Sequence, residues 1–309
     1  MANIRFDHFI TYTSAANIDN YLKEYAAQGF VPFKKTVRHD PGLRNGAISF
    51  GLEYVEFCWV EDEALFVAAD EVEKLLRTTP RPFGLGMIAD NVQAVHDDWT
   101  ARGYSVPDVW SKVPRDAAPD TPPVWSFQEI PGELLPGVSC FVLTYHTRPK
   151  DELEQVIIAP NTIYAVSGTT FVAMEPEARA IRWRNLLAPG EQVNQSEISF
   201  DVHIGPHHAM WMTPDAFQAS YGLHWMPFTH PIGEFALLHL LASDLSVTKT
   251  MMEQSGRQSY SISLRGEEEL LIAPDTRDGF IFIIRQQPVE MWLQERMART
   301  GEKLKLALD

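Results

Sequence analysis

The side chains of this 309-residue chain that could do chemistry are histidines, carboxylates and arginines set inside or beside apolar runs. His8 stands in RFDHFITYT, where strict alternation would put it on one face of a strand with Ile10 and Tyr12. On spacing alone it is one histidine in an apolar strand, which a core histidine with satisfied hydrogen bonds explains most simply. Glu56 lies in YVEFCWV, on one face with Tyr54 and Cys58, where an ionised carboxylate facing a core needs a partner. The turn Arg38-His39-Asp40-Pro41-Gly42-Leu43-Arg44-Asn45 reads either as a solvated Pro-Gly turn or as a recognition loop. In the second case His39 sits at the ligand, Arg38 or Arg44 grips a carboxylate or phosphate bidentately, and Asn45 offers both donor and acceptor. Trp125 follows a Pro-rich loop and is most simply core, though an indole turned into a cup would make a good apolar wall. The triplet His203, His207 and His208 in HIGPHH reads as a solvent-exposed hairpin turn, and His224, Trp225 and His230 lie in a loop without ligand spacing.

Elements able to position these residues recur along the chain. IDNYLKEYAAQGF places Ile18, Tyr21, Leu22, Tyr25 and Ala26 on one helical face and stops at Gly29, a residue suited to a left-handed terminus. At an offset of 74 residues VQAVHDDWTARGY repeats the pattern without a gap, with Gly103 standing for Gly29. LSVTKTMMEQSG, closing at Gly256, and EPEARAIRWRNLLAPG, closing at Gly190, give two further copies. A strand-like run precedes each helix, at residues 5–13, 83–89, 169–174 and 235–242, and further strand-like runs follow each one. The unit is β-α-β-β-β, four times over. Such a unit leaves one sheet face bare, so two must pair around a cavity. The expected architecture is therefore α+β: four βαβββ modules paired into two cup-shaped open β-barrel domains, residues 1–150 and 151–309. The boundary falls in the Pro- and charge-rich stretch 148–160. Met291, Trp292, Leu293 and Met297, at helical spacing, predict a C-terminal helix packed on a sheet.

Charge and composition narrow the partners. With 26 basic and 41 acidic residues the chain carries a formal charge of −15, which repels nucleic-acid phosphates and anionic membrane surfaces. No charged start with a following apolar stretch and no long apolar run occurs, so a cytoplasmic protein is expected, with a small-molecule ligand or substrate as partner and a homodimer allowed. Cys58 and Cys140 form neither a CxxC pair nor a framework and read as core. No phosphate-binding glycine fingerprint or GxSxG elbow lies between a strand and a helix.

The opening FDHFITYTSAANIDNYLKEYAAQGF, with VRHDPGLRNGAISFGLEYVEF after it, resembles the first module of glyoxalase-like proteins of the vicinal oxygen chelate superfamily. PNTIYAVSGTTFVAMEPEARAIRWRNLLAPG and GEEELLIAPDTRDGFIFII resemble the start and the final hairpin of that family's second half. The resemblance implies cups that can hold a divalent metal and a small oxygenated ligand, the metal acting as Lewis acid on adjacent oxygens. It places His8 on the first-strand ligand position and Glu56 on the last-strand carboxylate, the two catalytic candidates. In the second module Pro82, or Gly84 if a bulge intervenes, stands where a histidine would be, and neither can ligate. Thr144, a candidate substrate contact, is taken as the counterpart of Glu56, with His146 two residues on. His8, Glu56 and His146 could then hold Zn, Mn, Fe or Ni with positions left open. The ring-cleaving dioxygenase pattern is disfavoured, because Gly168, Leu237 and Ile283 occupy its ligand positions and His239 is out of register by two. Two readings stand: a divalent-metal-dependent lyase or isomerase acting on a small oxygenated metabolite in the N-terminal cup, or a metal-free protein that binds and sequesters a small molecule there.

Overall fold

A computed structural model describes residues 3–38, 42–66, 71–113, 121–147, 155–224, 233–264 and 266–306. His39, Trp225 and His230 lie outside the described residues. The first half runs β1 (Arg5–Tyr12), α1 (Ile18–Ala27), β2 (Val31–Pro32), β3 (Val37–Arg38), β4 (Leu43–Phe50) and β5 (Glu53–Val60). It continues through α2 (Glu71–Thr78), β6 (Gly84–Ile88), α3 (Val92–Ala101), β7 (Trp110–Lys112), β8 (Trp125–Ile130) and β9 (Ser139–Tyr145). The second half begins β10 (Gln155–Val156), β11 (Ile163–Val172), α4 (Pro176–Leu187), β12 (Asn194–Gln195), β13 (Phe200–Ile204), β14 (His207–Met212) and α5 (Pro214–Tyr221). It ends with β15 (Phe235–Ala242), α6 (Leu245–Gln254), β16 (Ser259–Leu264), β17 (Glu267–Ile272), β18 (Phe282–Gln286), α7 (Val289–Thr300) and β19 (Lys305–Leu306).

Local chemistry explains the repeated helices. Asn17 and Asn91 cap α1 and α3 by accepting the amides of Asn20 and Ala94, so the two copies start 74 residues apart in structure as in sequence. Gly29, Gly103 and Gly256 follow α1, α3 and α6 at φ of +80°, +86° and +75°, a conformation that other residues adopt at a cost. Two helices break the four-fold pattern: α2, after β5, and α5, which Thr213 caps. The tail forms α7 as its spacing predicts. Its buried face carries Val289, Trp292, Leu293 and Arg296, while Met291 points outward. No described helix is long and apolar enough to cross a membrane.

Each half contributes one open, curved sheet. The first has nine strands, ordered β2-β4-β5-β1-β6-β9-β8-β7 with β3 beside β4; the second has eight, ordered β12-β13-β14-β11-β15-β18-β17-β16. In both, two modules meet along a central antiparallel pair, β1 with β6 and β11 with β15. This is the paired-cup α+β arrangement, with neither sheet closed into a barrel. One cluster of buried apolar side chains runs across both halves, with Phe9 against Phe235 and Phe50 against Phe282.

The seam between the halves also holds ionised groups, and here the histidine triplet departs from expectation. His207 is fully buried rather than exposed in a hairpin tip. Its Nε2 donates to Glu53 at 2.9 Å, and its Nδ1 accepts the Phe6 amide at 3.2 Å. A tight turn at Gly205, pressed against Ile4 and Arg5, delivers it into the other half, a contact 154 residues long in sequence. Asp278 forms a second seam contact, accepting both the Tyr21 and Tyr25 hydroxyls, and burial holds its carboxyl above the ordinary range.

Candidate active cup in the first half

Alternation along β1, β4, β5 and β9 decides which side chains face the cavity of the first sheet. His8 and Ile10 face it from β1, Asn45 and Ala47 from β4, Tyr54, Glu56 and Cys58 from β5, and Phe141, Leu143 and Tyr145 from β9. The space they surround is about 440 Å³, within the range of small-molecule sites. Most of the wall is aromatic. Trp125, Phe127 and Phe141 form a staircase on one side with centroid steps of 5.7 and 5.9 Å, while Phe33 and Tyr54 lie 5.0 Å apart on the other.

The polar groups collect on the floor. His8 Nδ1 donates to Asp7 Oδ2 at 2.7 Å, which leaves Nε2 facing Glu56 Oε2 at 3.7 Å. Tyr145 donates its hydroxyl to the same Asp7 oxygen at 3.0 Å, and Tyr54 meets the Tyr145 hydroxyl at 3.2 Å. Tyr54 also stacks on the His8 ring at 4.7 Å, and burial, with Asp7 nearby, pushes its phenol well above the usual range, so it stays protonated. Asn45 donates from Nδ2 to Glu56 Oε1. The imidazole is thus held from one side by a carboxylate and from its face by a ring, with one nitrogen presented to the cavity. Room for it exists because Gly86 stands opposite on β6: a Cβ there would lie 2.2 Å from His8 Cε1.

The remaining sequence candidates separate. Trp125 lines the cavity. Thr144 and His146 share the opposite face of β9, since Phe141, Leu143 and Tyr145 are the ones turned inward. Thr144 donates to the Ala89 carbonyl and accepts the Val92 amide, fastening β9 to the connection between β6 and α3. His146 is exposed and bonded to Ser126 at 2.8 Å, so it does not join His8 and Glu56. The counterpart of Glu56 is Phe141, not Thr144: the Thr13 amide donates to Cys58 as the Ala89 amide donates to Leu143, which sets the two modules in register and puts Gly84 at the place of His8. Arg38 points outward and is held by both Glu61 oxygens at 2.7 and 3.0 Å, and Arg44 is taken up by Asp19, Thr36 and Glu61. Neither lines the cavity. The cation that does is Lys35, in the connection between β2 and β3. Residues 33–36 carry no strand or helix periodicity, and only a doubled lysine beside Phe33 hinted at it.

A divalent metal does not fit this donor set. Among the described residues no three His, Cys, Asp or Glu side chains gather closely enough to hold one. His8 Nε2 and Glu56 Oε2 supply two donors, whereas the second module offers Gly84 and Phe141. Asn45 gives its N–H to Glu56 and holds its Oδ1 buried without a hydrogen-bond partner among the described residues, a single neutral carboxamide oxygen, and the Tyr145 hydroxyl is committed to Asp7. Structural or catalytic ions of this type take three or four protein ligands. The second half has a smaller cavity of about 210 Å³ lined by His208, His239 and Glu269 among others. There His239 bonds Thr170 at 2.7 Å, and burial with His239 and His203 nearby depresses His208 to about 3.

A family model described as a glyoxalase-like domain matches residues 6–217. No curated protein sequence matches the chain. Among solved structures, a mutant of 4-hydroxymandelate synthase from Streptomyces coelicolor superposes with a TM-score of 0.61 at 11% identity, over 98% of this chain and 99% of that one. A hypothetical protein from Staphylococcus aureus gives 0.57 at 10% identity, over 92% and 99%. A xylose isomerase-like TIM barrel/4-hydroxyphenylpyruvate dioxygenase fusion protein gives 0.54 at 8% identity, over 97% of this chain and 52% of that one. At such identities the likeness is one of fold.

Proposed function

This chain belongs to the glyoxalase-like domain family, and from that premise we propose that its first-half cup binds a small planar aromatic molecule without a resident metal. One observation carries the reading: rings line much of a cavity of about 440 Å³ in which, among the described residues, His8 and Glu56 are joined by no third His, Cys, Asp or Glu close enough to complete a metal site. A flat ring slides between Phe33–Tyr54 and Trp125–Phe127, where stacking of each ring pair contributes roughly 0.5–1.5 kcal/mol beyond burial. A hydroxyl on that ring reaches the 3.7 Å gap between His8 Nε2 and Glu56 Oε2, where it donates its one proton to either acceptor. 2-Naphthol is a suitable probe. Protein purified without an affinity tag or added metal is expected to contain well under about one divalent ion in ten chains, and to bind 2-naphthol equally with and without EDTA. Stoichiometric zinc, manganese, iron or nickel that disappears in His8→Ala and Glu56→Gln would overturn the metal-free reading.

A second reading, proton transfer in a lyase or isomerase, is favoured by the hold of Asp7 on His8. A carboxylate at Nδ1 fixes the tautomer and leaves Nε2 as the base, the geometry that general acid–base catalysis uses. Its signature is deuterium uptake from D2O at an activated ligand carbon, lost in His8→Ala. Ligand bound without such exchange leaves sequestration as the function.

A further inference from the structure

The charges around the cup's entrance point beyond a neutral ligand. Of the cationic side chains near it, Arg38 and Arg44 are consumed by Glu61 and Asp19. Lys35 lines the cavity, is exposed, and has no ion pair among the described residues. It stands on a chain of formal charge −15, whose field elsewhere repels anions. The Phe33 amide donates to the Ala47 carbonyl at 2.9 Å and Val37 pairs with Asn45, so the 33–37 connection is pinned over β4, and Ala47 in turn pairs with Glu56 on β5. The Lys35 backbone therefore lies about two strand spacings from that of Glu56, roughly 10 Å across the sheet. A carboxylate and an ammonium, Glu56 and Lys35, thus line the same cavity from separate strands together with its rings.

Resting on the aromatic-cup reading, we infer that the ligand is an aromatic acid, seated with its neutral hydroxyl end at His8 and Glu56 and its carboxylate at Lys35. The floor itself rejects the acid end, because Glu56 and Asp7 would face a third carboxylate in a low-dielectric pocket. Orientation thus follows from both ends at once. Lys35 is a specificity-determining residue, and its flexible stem lets it close over acids of somewhat different length.

The experiment uses the whole protein and two rigid probes, 6-hydroxy-2-naphthoate and its methyl ester, titrated by calorimetry. The acid is expected to bind about five- to tenfold more tightly than the ester, the range of one charge-assisted hydrogen bond at a half-open site. Lys35→Met should bring the two probes to equal affinity, and Lys35→Glu should make the ester the tighter ligand, with the thermal midpoint little changed in both variants. Added salt should shrink the preference of the parent protein. Equal binding of acid and ester by the parent, or a preference that survives in Lys35→Met, overturns the role of Lys35 and leaves the aromatic cup standing. Failure of both probes and of 2-naphthol to bind removes the cup reading and this inference with it.

Discussion

Glu53→Gln is expected to lower the folding stability of this protein by about 3–5 kcal/mol, the cost of removing one partner from a buried ion pair. Denaturant midpoints of the two proteins measure it. Glu53 opens β5 and faces away from the cup, into the seam between the halves, where its side chain is 1% exposed. There Arg296 of α7 donates to it at 2.6 Å and His207 of β14 at 2.9 Å. The Val166 amide of β11 adds a third contact at 3.4 Å. Neutralising Glu53 leaves the Arg296 guanidinium, itself 2% exposed, with Glu302 alone.

The same group sets an acid limit. Burial pushes the Glu53 carboxyl up, but Arg296 and His207 prevail and hold it at about 2, against an ordinary value of 4.5. A carboxyl depressed on folding binds fewer protons folded than unfolded. Its contribution is therefore complete above pH 4.5 and disappears as the pH falls toward 2. His207 is also depressed, chiefly by burial, and protonating Nδ1 would set an N–H against the Phe6 amide that it now accepts. Its contribution has the same sign, complete above the ordinary 6.5 and declining below it. Stability of the parent protein should thus fall in two stages on acidification. Glu53→Gln should abolish the stage below pH 4.5, and a stability loss under about 1 kcal/mol with an unchanged acid profile would sink this account.

The seam shows what the sequence could and could not disclose. Helix caps, glycine stops and strand alternation are local, so the four βαβββ units and the cup-facing sides of His8 and Glu56 were legible from one stretch of chain at a time. His207 was not, because HIGPHH is locally a polar turn and its burial depends on Glu53 and Arg296, far away in sequence. Thr144 was misplaced for a related reason. Nothing in CFVLTYHT marks which alternating face turns inward, and taking Thr144 for Phe141 is a shift of three residues, an odd number that exchanges the faces. Asp7 was hidden because strict alternation puts it on the face opposite His8, whereas the register shift between Phe6 and His8 lets its carboxylate reach both Nδ1 and the cup-facing Tyr145 hydroxyl. Lys35 stood in a connection without periodicity, where a charge reads as solvated.

Gly86 carries the other large effect. In Gly86→Ala the added methyl would lie 2.2 Å from His8 Cε1 and 2.6 Å from both ring nitrogens. The backbone has little freedom to yield, because β6 is paired on one side with β1 and on the other with β9. Nor is the imidazole free to slide, since Asp7 holds Nδ1 and Tyr54 covers its face. The ring must swing into the cavity, breaking the Asp7 bond and filling the place of the ligand's hydroxyl. Overpacking of this kind costs about 1–3 kcal/mol of stability. Affinity for 2-naphthol should fall at least tenfold, roughly the 1.4 kcal/mol of one lost hydrogen-bonding site. A double-mutant cycle separates this from general damage to β6. With His8→Ala as the background the methyl meets no ring, so Gly86→Ala should there be nearly neutral, giving a coupling of about 1–3 kcal/mol. An equal loss on both backgrounds would mean that Gly86 is needed by the strand itself and not by the imidazole.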